Sequence, residues 1–129
     1  MSACAPRIAS QGIENVKPAI AQDTFQTRDG MQLALRHWDA PSPIAIIVAL
    51  HGMSDYSNAF DMPATFWAQN GITTYAYDQR GFGKSPNPGV WAGADALRGD
   101  LTISSMPRVQ STRTCRFMRS AKAWGARSC

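Results

Sequence analysis

At 129 residues the chain can form one small domain with a modest core, less than an open α/β enzyme usually needs. Its 44% apolar content excludes wholesale disorder, and no apolar run is long enough to span a membrane. The net charge of +4 comes from the tail: residues 1–101 hold seven Lys or Arg against nine Asp or Glu, and residues 102–129 hold six Lys or Arg and no acid, so no domain surface is built for nucleic acid.

Residues 1–21 read as an irregular leader broken by Pro6, Gly12 and Pro18. As written it has no hydrophobic signal core, which implies a cytoplasmic chain. The small residues before Cys4 and the spacer after it nevertheless resemble the cleavage box of a bacterial lipoprotein. If translation starts upstream, Cys4 is the lipidated residue, and membrane association is expected only by that route. Cys4, Cys115 and Cys129 have no metal-ligand spacing, and His37 and His51 do not complete a set, so neither metal nor cofactor is expected. The odd cysteine count argues against a disulfide framework.

The segments Asp23 to Thr27 and Met31 to Trp38 alternate loosely around Arg28-Asp29-Gly30, a hairpin signal. Ile44 to Leu50 is a continuous apolar run rich in β-branched residues, as in a strand buried on both faces. The spacing predicts a helix over 57–70, with Phe60, Ala64 and Trp67 on one face, Pro63 disturbing its first turns and Gly71 stopping it. Ile72 to Tyr77 is the next strand, 81–93 a Gly- and Pro-rich loop, and a further helix starts near Ala94 and carries Leu97 and Leu101. A crossover helix between two buried strands implies a parallel pair.

Each buried strand ends in a Gly-bearing polar loop: His51-Gly52-Met53-Ser54-Asp55-Tyr56-Ser57 after the first, and Asp78-Gln79-Arg80-Gly81-Phe82-Gly83-Lys84-Ser85 after the second. Ligands gather beyond the carboxyl ends of such strands. Gly83-Lys84-Ser85 is superficially similar to a phosphate-binding loop. That motif, however, needs Gly where Asp78 stands, and a helix where Pro86 and Pro88 stand.

From about Phe25 to Leu101 the chain resembles the α/β-hydrolase superfamily, and within it the lysophospholipase and monoacylglycerol-lipase branch. His51-Gly52-Met53 and Asp78-x-Arg80-Gly81-x-Gly83-x-Ser85 carry the resemblance by their order and spacing. It implies the N-terminal portion of an α/β-hydrolase fold over residues 22–101, an antiparallel hairpin leading into a parallel sheet with crossover helices. It also implies a lipid-like ester substrate and a Met53 N–H that serves as one oxyanion donor. Gly52 lets that loop turn without a Cβ clash. His51 orients it and is not the base, because in this fold the base follows the nucleophile in chain order. Arg80, Gly81, Gly83, Asp78 and Ser85 are expected to support the site and to make no bonds to substrate.

The sequence has no Gly-x-Ser-x-Gly, no His after His51 and no acid after Asp100. A serine hydrolase needs all three, so the chain as given is expected to be inactive. Residues 102–129 lack periodicity and favour Arg, Ser, Thr and Cys. Permissible codons for Thr102 to Cys129, read two bases later with one consistent choice of third bases, give DFVDAARAEHPDVPVYALGESMGGAVL. That string continues the helix, turns, forms a buried strand VPVYAL and reaches the elbow GESMGG. The tail is therefore expected to be frameshifted, not native-like, and to leave an open edge on the sheet. The SMGG string also speaks against an epoxide hydrolase or dehalogenase, which carries Asp at the elbow. The competing reading is a non-enzymatic remnant or binding module whose basic tail contacts acidic lipid or nucleic acid.

Overall fold

The computed structural model describes residues 8–101 and the two strands at 116–120 and 124–128. Cys4, Cys115, Cys129 and the remaining tail residues lie outside the described residues, as do the side chains of both tail strands. Seven strands are described: β1 Ala19–Ala21, β2 Thr24–Gln26, β3 Gln32–Trp38, β4 Ala45–Ala49, β5 Ile72–Tyr77, β6 Arg116–Ser120 and β7 Trp124–Ser128. They lie in one sheet in the order β1-β2-β3-β5-β4-β7-β6. Two helices are described, α1 over Asp61–Gln69, preceded by a 3-10 turn at Ser57–Phe60, and α2 over Ala94–Asp100.

β4 and β5 are parallel, with Ala49 beside Ala76, so both carboxyl ends open on one rim. β3 flanks β5 antiparallel and continues the β2–β3 hairpin. Alternation along the central strands divides the core. Ile46, Val48, Tyr75 and Tyr77 pack on one face with Phe25, Leu33 and Leu35. Ala49 and Ala76 pack on the other against Phe60 and Ala64, with Trp38, Ile47 and Trp67 beside them. Small Ala residues on this second face let α1 approach the sheet closely. Pro63 falls in the first turn of α1, where its lost N–H had no helical acceptor.

The structure differs from the sequence reading in three places. First, the leader expected to be irregular over 1–21 ends in a strand. Ala19–Ala21 pairs with β2, closed by the two residues Gln22 and Asp23, and Ile20 packs on the core. Second, the buried positions of α2 are Ala96 and Asp100, while Leu101 only borders the core. Third, the free edge of β4 is not open, because β7 pairs with it antiparallel and β6 pairs with β7. An edge strand presents unpaired N–H and C=O groups, so a segment without apolar periodicity can still dock on it through its backbone.

Two polar atoms pay for this packing. Tyr77 Oη and Thr74 Oγ1 are buried and have no hydrogen-bond partner among the described residues. Burial pushes the Tyr77 phenol far above its usual range, and the nearby Asp100 carboxylate adds to the effect.

Candidate active site

The loops leaving β4 and β5 stand side by side on the rim. His51 is buried at the end of β4, whereas Gly52, Met53 and Ser54 are exposed. Met53 is 73% exposed, and its N–H makes no hydrogen bond among the described residues. Ser54 has φ +62°, an uncommon conformation for a residue with a side chain, costing on the order of 1 kcal/mol or more. Gly52 has no left-handed φ, and a Cβ there would meet nothing within 4 Å. The expected steric reason for glycine at 52 finds no counterpart among the described residues, whose packing does not demand it.

His51 ties the two loops together. The Gln79 main-chain N–H donates to His51 Nε2 at 2.9 Å, and Gln79 Nε2 donates to the His51 carbonyl at 2.6 Å. His51 Nδ1 lies 2.9 Å from the Gly52 carbonyl. The Phe82 ring meets the imidazole edge-on, with centroids 5.4 Å apart.

The second loop is folded around Asp78. Its Oδ1 accepts the Ser57 N–H and its Oδ2 the Lys84 N–H, each at 2.8 Å. Burial alone would raise the Asp78 pKa, but the hydrogen bonds from Ser57 and Lys84 outweigh it and hold the carboxyl below its ordinary value. Gly83 has φ +53°, and a Cβ there would lie 2.1 Å from Asp78 Oδ2. Gly81 has φ +82°, and its Cβ would lie 2.2 Å from the Val90 carbonyl oxygen. Ser85 is buried, donates to the Asp78 carbonyl at 2.5 Å and accepts the Ala34 N–H at 3.1 Å, linking the loop to β3.

Arg80 lies between the hairpin turn and α2. Its Nη1 and Nη2 donate to Asp29 at 2.6 and 2.7 Å, and its Nε and Nη2 donate to Asp100 at 2.7 and 2.8 Å. The Arg80 hydrogen bonds hold the Asp29 carboxyl well below the usual carboxylate range. Burial raises the Asp100 carboxyl and outweighs the lowering effect of the Arg80 hydrogen bonds, and the Asp29 carboxylate adds to the rise. A cavity of about 20 Å³ beside this cluster is lined by Thr27, Asp29, Arg80 and Asp100, among others. It has room for about one water, and no residue of the 51–57 loop lines it.

Asp29, Asp100 and Gln79 do not stand out as site residues in the sequence. The available signal for Asp100 is its spacing from Ala96, which puts an acid on the inward face of a helix. Among the described residues no group of His, Cys, Asp and Glu could hold a metal, and no helix is long and apolar enough to cross a membrane.

An antiparallel hairpin feeding a parallel pair, with a Gly-bearing loop at each carboxyl end, defines the N-terminal portion of an α/β-hydrolase. Residues 41–121 match the family described as Serine aminopeptidase, S33, and the chain belongs to that family of α/β-hydrolases. An uncharacterized abhydrolase domain-containing protein of Dictyostelium discoideum is 37% identical over 60 residues, which are 46% of this chain and 6% of that protein. A serine hydrolase-like protein of the same organism is 36% identical over 62 residues, 48% of this chain and 17% of that protein. The chain thus matches less than a fifth of either relative's length. An esterase from Exiguobacterium antarcticum is similar in structure, with a TM-score of 0.49 and 23% identity over 66% of this chain and 30% of the esterase.

Proposed function

We propose that this chain carries the oxyanion loop of a serine hydrolase of carboxylic esters, with lipid-like esters such as monoacylglycerols or lysophospholipids as the substrate class. The observation that supports this most is the Met53 N–H, which makes no hydrogen bond among the described residues and belongs to an exposed residue just beyond the carboxyl end of β4. A serine oxygen attacks the ester carbonyl carbon as a histidine takes its proton. The carbonyl oxygen becomes an oxyanion, and two fixed N–H donors stabilise it until the alcohol leaves. Met53 supplies one donor. The nucleophile, its following N–H, the acid and the base belong to the frame that encodes GESMGG, and residues 102–129 are read out of that frame. The serine hydrolase-like relative agrees with this chemistry.

The test begins with the nucleotide sequence from Gly99 to the stop codon, which is expected to contain the GESMGG-coding frame. The polypeptide with that frame restored and the chain as given are then assayed on aryl esters, a monoacylglycerol, a lysophospholipid and an aminoacyl amide. The restored polypeptide hydrolyses esters, and the chain as given stays at background. Lack of that frame, or hydrolysis of the amide alone, overturns the reading.

A further inference from the structure

Gln79 touches His51 twice, once through its main-chain N–H and once through its side chain. A main-chain N–H can only donate, so His51 Nε2 must offer its lone pair. The imidazole hydrogen therefore sits on Nδ1, from which it donates to the Gly52 carbonyl. That carbonyl and the Met53 N–H are opposite ends of one planar trans peptide, so holding the first fixes the direction of the second. Hydrogen bonding at the carbonyl end also polarises the N–H end. The Gln79 side chain holds the carbonyl on the other side of His51, so the ring and its backbone are fixed by one residue of the neighbouring loop.

We propose that Gln79 is a positioning residue: its main-chain N–H sets the His51 tautomer, its side chain holds the His51 carbonyl, and the two together aim the Gly52–Met53 peptide so that its N–H faces the open rim. The meaning of that aim for catalysis rests on the oxyanion reading of Met53, whereas the aim itself does not.

The test is nuclear magnetic resonance on the ¹⁵N-labelled full chain. Long-range imidazole correlations are expected to show His51 with hydrogen on Nδ1 and an unprotonated Nε2. In Gln79→Glu the side chain can no longer donate to the His51 carbonyl, so the Met53 amide resonance moves while Val48 and Tyr75, within the β4–β5 ladder, stay. Hydrogen on Nε2 in the wild type, or a Met53 amide unmoved in both Gln79→Glu and Gln79→Ala, overturns the proposal. The wild-type imidazole pattern decides by itself if a variant fails to fold. If the Met53 amide follows Gln79 while the restored-frame polypeptide hydrolyses no ester, positioning stands and the functional reading falls.

Discussion

Arg80 and Asp29 meet through two parallel hydrogen bonds of 2.6 and 2.7 Å although 51 residues separate them along the chain. The same guanidinium also grips Asp100 at the end of α2. One side chain in the β5 loop thus fastens the hairpin to the last described helix. All three groups are nearly excluded from solvent, so breaking the cluster strands a charge.

Arg80→Ala is expected to cost about 3–5 kcal/mol in urea denaturation, because two buried carboxylates lose their partner. Arg80→Lys recovers only part of this, since an ammonium cannot form the paired geometry with either acid. A loss below about 1 kcal/mol for Arg80→Ala would mean that water replaces the guanidinium.

Glycines 83 and 52 should answer substitution differently. Gly83→Ala drives a methyl into the Asp78 carboxylate from a left-handed backbone, and at least about 2 kcal/mol of stability is lost. Gly52→Ala meets open space and changes stability by no more than about 0.5 kcal/mol. Thermal melts of the two variants side by side check the contrast.

Tyr77→Phe removes a buried hydroxyl that has no partner among the described residues while keeping the ring against Phe25, 5.4 Å away. The variant is expected to be as stable as the parent or more stable, by up to about 1 kcal/mol. A marked loss in denaturant titration would reveal a partner for that hydroxyl.

Acid should destabilise the fold. Asp29 and Asp78 have depressed pKa values when folded, so their stabilising contribution is full above the ordinary carboxylate value. It disappears as the pH falls below about 4 and through the depressed values. Asp100 runs the other way: its raised pKa makes its contribution grow on acidification, but it is one group against two. Denaturant titrations from about pH 7 downward are expected to show a smaller acid loss in Asp78→Asn than in the parent. An equal loss in both would remove Asp78 from the account.

The central strands were legible because burial on both faces leaves a continuous apolar run, and Ile44 to Leu50 has no other simple use. The inward face of α1 was legible through Phe60, Ala64 and Trp67. β1 was not: three residues after Pro18 are too few for alternation to register. β6 and β7 were not, because backbone pairing at an edge leaves no signature in side-chain polarity. Within the rim, Asp78, Arg80 and Ser85 stood out as a spaced motif, but their partners did not. Asp29 looked like a turn residue, and Gln79 filled a position that tolerates many residues in an isolated motif. Contacts made only after the chain closes on itself, such as Arg80 with Asp29, have no local trace to read.

β7 runs from Trp124, opposite Ala49, to Ser128, opposite Ala45. It therefore begins at the rim and departs toward the floor of the sheet. A sharp strand-to-helix turn needs the reverse polarity, since only a strand that arrives at the rim can hand a side chain to the Met53 amide. β7 therefore cannot lead into a nucleophile turn beside the Met53 loop, because its own carboxyl end lies at the opposite end of the sheet.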